Sequence, residues 1–201
     1  MILGDTYKVL YGNDYIIEKC LGNKVKLHFK SFFQVNPIQM EVLYNQAIKA
    51  ANLSGNETCI DMYAGTGTIG MAVSKHAKSV IGVEIVKEAV DNANDNTKMN
   101  HLDNCHYVCQ DATDFAHERK SNKIDVVFID PPRKGMAEIG IQDTVTMQPE
   151  KIIYVSCNPK TLSRDLKIFK NYGYQCEYVQ PVDMFCQTTG LECVAKLSKI
   201  V

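Results

Sequence analysis

Apolar and polar positions along the first third of the chain alternate over short runs and then settle into a helical stripe. Tyr7–Leu10, Tyr15–Cys20 and Val25–Phe29 read as short strands, divided by the turn signals Gly12-Asn13-Asp14 and Gly22-Asn23. Pro37 stands where a first helical turn tolerates proline. It opens an amphipathic helix to about Ala51 whose Met40, Leu43, Tyr44, Ala47 and Ile48 follow helical spacing, and Ser54-Gly55-Asn56 closes it. Strand and helix signals then alternate. Strands are predicted at Thr58–Met62, Ser79–Glu84, His106–Gln110, Ile124–Ile129 and Ile152–Val155, with helices at Thr68–His76, Val86–Asn100, about Glu138–Met147, and Thr161–Tyr172. Residues 111–123 read as a polar stretch. Two last strands, Gln175–Gln180 and Glu192–Leu197, have no helix between them and are expected to be antiparallel neighbours. Strands joined through helices imply an α/β fold: a mostly parallel seven-stranded sheet with helices on both faces and an antiparallel final strand. The division expected is a short β-rich segment, 1–35, followed by one α/β domain, 36–201.

Composition narrows the class. A chain of 201 residues with 45% hydrophobic and 22% charged residues can bury one sizeable core, which excludes a disordered or fibrous protein. No apolar run is long enough to span a bilayer, and Met1-Ile2-Leu3-Gly4-Asp5 has no basic region ahead of an apolar stretch, so a cytoplasmic protein is expected. The eight cysteines are scattered, several within strand-like runs, without a Cys-x-x-Cys pair or zinc spacing. They are read as reduced thiols, mostly buried, and no metal site is expected. The net charge of −1 gives no overall basic character, so a phosphate-rich partner would need local clustering of cations or help from another domain.

Candidate chemistry lies at the ends of the strands. Asp61-Met62-Tyr63-Ala64-Gly65-Thr66-Gly67-Thr68-Ile69-Gly70 follows the first core strand and opens a helix, where glycines such as Gly65 and Gly67 allow a tight turn and close approach to a ligand. That spacing is shared by nicotinamide- and flavin-binding folds. Asp61, just before the glycines, would repel a pyrophosphate but suit a zwitterion. Glu84 ends the next strand, placed to accept from both ribose hydroxyls, and Asp111 follows the third, either beside an adenine amine or as a helix N-cap. Together these resemble the class I S-adenosylmethionine methyltransferase pattern, with a Rossmann-like fold.

The fourth strand ends in Asp130-Pro131-Pro132-Arg133-Lys134-Gly135. Enzymes that methylate exocyclic amines typically carry an aromatic residue where Arg133 stands, so amine methylation is disfavoured and ring-carbon methylation left open. A rigid proline turn with two solvated cations is the plain alternative. The fifth strand ends in Ser156-Cys157-Asn158-Pro159, which puts Cys157 on the glycine-loop edge beside a helix N-terminus that favours thiolate. If the final strand lies antiparallel beside the fifth, Glu192 returns next to Cys157 as a general base; otherwise it is a strand-edge charge.

In this order the segments resemble the uracil-5 RNA methyltransferases acting on transfer and ribosomal RNA. The resemblance runs from Ser31 onward through Ser31-Phe32-Phe33-Gln34-Val35-Asn36-Pro37, the glycine loop, Asp130-Pro131-Pro132-Arg133, Ser156-Cys157-Asn158-Pro159 and Asp183-Met184-Phe185…Glu192. It implies Cys157 as nucleophile and Glu192 as base, with Gln34, Tyr63, Glu84 and Asp130 as cofactor contacts beside Asp61, Gly65, Gly67 and Asp111. On the substrate side it implies Phe32, Asp130 and Arg133, although at least one of Phe32 and Phe33 is expected simply to pack in the core. Where the family often has histidines this chain has Gln187 and Gly190. The implied cofactor is S-adenosyl-L-methionine. The implied partner is RNA, with 23S rRNA preferred over tRNA, acted on by a monomer. Full-length members carry an N-terminal RNA-binding barrel, so residues 1–35 are expected to be the remnant of the linking region. The alternatives are a cytosine-5 RNA methyltransferase, disfavoured because Pro132-Arg133 stands where a cysteine would, and a non-catalytic S-adenosylmethionine-binding module.

Overall fold

A computed structural model describes residues 7–29, 31–120 and 122–200; the opening Met1–Asp5 stretch lies outside them. Seven strands form one sheet: β3 (Thr58–Met62), β4 (Ser79–Glu84), β5 (Cys105–Cys109), β6 (Val126–Ile129), β7 (Lys151–Ser156), β8 (Tyr174–Val182) and β9 (Glu192–Lys199). Their order is β5-β4-β3-β6-β7-β9-β8. The β3/β4, β3/β6, β4/β5 and β6/β7 pairs are parallel, and β9 runs antiparallel to both β7 and β8. This is the predicted architecture, including the insertion of the final strand beside the fifth core strand.

Two apolar layers sandwich the sheet. One joins α1 (Pro37–Ala51), α2 (Thr68–Ser74) and α3 (Lys87–Met99) to the face carrying Cys59, Val126, Phe128, Ile153, Val155 and Val194. The other joins α4 (Ala112–Glu118), α5 (Glu138–Thr146) and α6 (Pro159–Asn171) to Ile60, Val127, Ile129, Ile152, Tyr154 and Ala195. Buried strands in the middle of such a sheet show nearly continuous apolar runs because both faces are covered. α1 starts where expected, with the Asn36 side chain accepting from the Gln39 amide at 3.1 Å and Pro37 in the first turn.

Three local expectations differ from the structure. Tyr7–Leu10 is not a strand. The hairpin of β1 (Tyr15–Cys20) and β2 (Asn23–His28) turns on Leu21 and Gly22, both at positive φ, one residue earlier than the Gly22-Asn23 signal suggested. Leu21 tolerates that conformation because its amide donates to Glu41 (2.9 Å) and its carbonyl accepts from Lys75 Nζ (2.8 Å). The supposed polar stretch holds α4, capped by Asp111, whose Oδ1 accepts from the Thr113 amide at 2.8 Å. Only Phe115 and Ala116 of that helix are buried, too few apolar positions to register a period.

Among the described residues all eight cysteines are free: Cys20, Cys59, Cys105 and Cys193 are buried, Cys157 and Cys176 half-buried, Cys109 and Cys186 exposed. No helix among them is long and apolar enough to cross a membrane.

Candidate active site

Successive side chains in a strand alternate between faces. That rule puts Asp61, after Cys59, and Asp130, after Val126 and Phe128, on the face covered by α1. Cys157, after Ile153 and Val155, and Glu192, before Val194, fall on the same face. All four stand at the carboxyl edge of the parallel strands, the ordinary ligand edge of such a sheet. Because Ser156 lies opposite Cys193 in the β7/β9 register, the next step along brings Cys157 opposite Glu192. The antiparallel return of β9 therefore joins two segments 35 residues apart in sequence.

The electrostatics carry the same signature. Burial raises the Glu192 carboxyl above its usual range, and the residue is only 3% exposed. Burial pushes Asp130 up to about 7, reinforced by Glu192 and Asp61, although the residue keeps some solvent-facing surface. The Cys157 thiol is raised by burial first, then by Glu192 and Asp130, against smaller opposing effects of its own backbone bonding and Arg133. The expected thiolate-favouring effect of the α6 N-terminus is thus outweighed by burial, with two neighbouring carboxylates adding to it. Among the described residues no group donates a hydrogen bond to Asp130 or Glu192.

The glycine loop has a physical cause of its own. A Cβ at Gly67 or Gly82 would collide with the buried Tyr107 ring, and one at Gly70 with its hydroxyl, so these three glycines accommodate a side chain beneath the loop. Tyr107 donates its hydroxyl to the Gly67 carbonyl at 2.8 Å. Gly65, at φ +54, has nothing within 4 Å of a built Cβ and faces open space. Its amide donates to Glu84 Oε2 (3.1 Å), while Glu84 Oε1 accepts from Ile85 and Val86 (2.9 and 3.0 Å), which leaves the half-buried carboxylate fixed in direction with acceptor capacity left on Oε2. Asp61, 1% exposed, accepts from the Gly70 amide at 2.8 Å and so holds the first turn of α2; burial pushes it up to about 7 against that bond.

The remaining expected residues divide. Tyr63 takes a positive φ and turns to the opposite face, packing against the α4–α6 core, where Asp143 and Asp111 act on its hydroxyl. It is therefore brought together with Asp111, which serves as N-cap and remains exposed. Arg133 is exposed, and its carbonyl accepts from Asn158 Nδ2 (3.3 Å) and Thr161 Oγ1 (3.4 Å). Phe33 packs against the core whereas Phe32 is 76% exposed. Gln34 is buried in the β2–α1 connection and lines a cleft with the 7–16 segment; no hydrogen bond among the described residues joins it to the acidic edge. A side chain at Gly190 would meet Phe185 at 3.0 Å, so this chain fills with a phenyl ring the space a larger residue there would need.

Sequence reasoning missed three supports. Tyr44 of α1, counted only as core, hydrogen-bonds Thr68 at 3.3 Å and lies close enough to Asp130 and Asp61 for both to raise its phenol. Asn96 of α3 bonds Lys26 in β2 through both its amide atoms and also donates to the Thr66 carbonyl in the glycine loop. Asp165 of α6 accepts from Tyr154 (2.6 Å), the Met136 amide (2.8 Å) and Arg164, whose guanidinium in turn holds the Lys134 and Met136 carbonyls. A buried polar residue inside an amphipathic helix was the only available signal for Asn96 and Asp165.

The family model described as tRNA (Uracil-5-)-methyltransferase matches residues 4–200. The chain belongs to that family. An uncharacterized RNA methyltransferase of Listeria innocua is 45% identical over 98% of this chain, and one of Streptococcus mutans is 43% identical over 98%. In each case the chain spans 44% of the relative's length, about half of a longer protein. The crystal structure of Pyrococcus abyssi tRNA (uracil-54, C5)-methyltransferase in complex with S-adenosyl-L-homocysteine superimposes with a TM-score of 0.77 at 31% identity, covering 93% of this chain and 45% of that one. The fold is that of the S-adenosylmethionine-dependent methyltransferases.

Proposed function

We propose that this chain is the catalytic part of an S-adenosylmethionine-dependent enzyme that methylates carbon 5 of a uridine in RNA, with Cys157 as nucleophile and Glu192 as base. The observation that carries the reading is the β7/β9 register, which sets the thiol opposite a buried carboxylate at the ligand edge. Membership of the family and the likeness to the Pyrococcus abyssi enzyme support the same chemistry.

The residues present suit the cofactor. Gly65 offers an open backbone approach, Glu84 a carboxylate for the ribose, and Asp111 one oxygen beyond its capping bond for the adenine side. Asp130 is an acceptor without a protein donor, fit for a cationic or hydroxyl group. When bound, S-adenosylmethionine supplies an electrophilic methyl group on a sulfonium.

Carbon 5 of uracil is a poor nucleophile. The Cys157 thiol gives its proton to solvent, and attack of the resulting thiolate on carbon 6 forms an S–C bond and moves the ring double-bond electrons into an enolate, which makes carbon 5 reactive. After methylation carbon 5 still carries its proton. Glu192 removes it, the C–H electron pair restores the double bond, and the Cys157 sulfur leaves with the pair of the S–C bond. The uridine must leave its stack to reach this edge, at roughly a few kcal/mol. Phe32, largely exposed, and Arg133 stand on the substrate side.

The test is 5-fluorouridine RNA with the cofactor: fluorine cannot be removed as a proton, so a covalent protein–RNA adduct should accumulate and disappear in Cys157→Ala. Absence of the adduct, or an adduct retained in that variant, overturns the reading. Nucleoside analysis of methylated tRNA and 23S rRNA decides between the two substrates and would reveal 5-methylcytidine if the base were cytosine.

A further inference from the structure

The exposed side of α6 differs from every other helical surface of the chain. Its exposed residues are Pro159, Lys160, Ser163, Arg164, Lys167, Lys170 and Asn171, and the helix's one acid, Asp165, is buried. Lys160, Arg164 and Lys167 follow i, i+4, i+7 spacing and so share one face, continued by Lys170. By contrast α3 mixes signs outward, with Glu88, Asp91 and Asp95 among its lysines and a Lys87–Asp91 ion pair. At the head of α6 stand exposed Arg133 and Lys134, fastened there by Asn158 and Thr161 on the Arg133 carbonyl and by Arg164 on the Lys134 carbonyl. Among the described residues only Arg164 of these six cations forms an ion pair, with Asp165. They make up six of the chain's 22 basic residues, leaving 16 to balance all 23 acidic ones. A molecule with net charge −1 thus concentrates unopposed positive charge on one strip. On the helix the strip begins three residues after Cys157, at Lys160, and runs about 15 Å to Lys170.

We infer that this strip, Arg133 and Lys134 followed by Lys160, Lys167 and Lys170, is a docking surface for the phosphate backbone of the RNA strand that delivers its base to the catalytic edge. The inference rests on the proposed RNA substrate and adds which surface holds it. Phosphate is the occupant that fits the cations, because they are point charges that read no base edges; an apolar hollow lined by Leu162, Leu166 and Val179 lies beside Lys167 and Lys170 between α6 and β8. It also accounts for RNA affinity in a chain with no overall basic excess.

The test uses K160Q/K167Q/K170Q, three exposed residues outside the catalytic machinery, and a 20-nucleotide oligouridylate. Single-stranded RNA releases counterions with a slope of about −0.7 per phosphate contact, so losing three contacts should flatten the plot of log affinity against log salt by about 2. The Kd at low salt should weaken at least tenfold while Tm is unchanged. A control of equal charge change, K49Q/K78Q/K98Q, removes exposed lysines that the helix and strand directions place toward the opposite edge of the sheet, and should leave the slope as it was. An unchanged slope in the first variant, or an equal change in both, overturns the strip, including the case of an acidic protein as its true partner. Nucleoside analysis at saturating RNA keeps the two readings apart: a product other than 5-methyluridine defeats the proposed reaction and leaves the strip standing.

Discussion

Two buried carboxylates on opposite faces of the sheet illustrate how similar burial serves different ends. Asp165, under α6, is fully enclosed and receives hydrogen bonds from Tyr154, the Met136 amide and Arg164. Glu192, under α1, is almost as enclosed, yet no described group donates to it, and burial raises its pKa. Among the described residues no fully buried side-chain oxygen lacks a partner, so the Glu192 carboxyl oxygens keep a sliver of open surface; a nearly enclosed carboxylate held without protein donors suits a role other than stability. Asp165 ties the loop after Asp130 to the helix after Cys157, so it is structural. Glu192 and Asp130 hold proton affinity in reserve at the edge where a ligand would sit.

That contrast can be broken most directly at Glu192. Glu192→Gln should lower methyl transfer by about 10²–10⁴-fold in single-turnover assays, with Tm unchanged or higher, because the loss is one of proton transfer rather than packing. Activity within threefold of the parent would remove Glu192 from the chemistry. Asp165→Asn should do the reverse. Weakening the acceptor of the buried Tyr154 hydroxyl and Met136 amide costs about 1–3 kcal/mol, a fall in Tm of roughly 5 °C for a chain of this size. A fall of less than 2 °C by calorimetry would erase the distinction.

Asp130 sharpens the comparison through pH. Its folded pKa of about 7 lies above the ordinary 3.8, so between those values the folded state keeps a proton that the unfolded chain has released. Stability from this group is therefore present at low pH and lost as pH rises through about 7. Asp130→Asn should raise Tm by a few degrees at about pH 8 and by progressively less toward about pH 4. A constant offset across that range would mean that Asp130 is not held protonated. The smallest effect is expected at Tyr107→Phe, which keeps the ring under the glycines and deletes the bond to the Gly67 carbonyl together with the weak one accepted from the Cys105 thiol. Stability in denaturant should fall by about 1 kcal/mol, with a few-fold weaker binding of S-adenosylhomocysteine. An unchanged affinity would show that the loop holds its shape without that bond.

Most of the sheet was legible because its strands are apolar runs bounded by turns, and because a missing helix between the last two strands forces them antiparallel. The meeting of Cys157 and Glu192 was legible for the same reason: topology alone places both at one edge. α4 escaped because its helicity depends on the Asp111 cap and two buried residues. Tyr7–Leu10 misled because Tyr, Val and Leu in a short run have strand propensity, yet the segment forms no strand. The glycine motif was read as backbone approach to a ligand. Only the folded arrangement reveals that Gly67, Gly70 and Gly82 make room for Tyr107, a residue 40 positions past the first of them. The thiol's raised pKa was likewise invisible, since it arises from burial first and then from Glu192 and Asp130 acting across strands.

The asparagines of α3 have a wider consequence. Asn100 bonds the amide and carbonyl of Lys24, and Asn96 those of Lys26, so side-chain amides from a helix pair with the outer border of β2 as a neighbouring strand would. That border is closed to recruitment by another chain. Since Asn96 also grips Thr66, one side chain links the hairpin directly to the glycine turn, so a substitution there would loosen both at once.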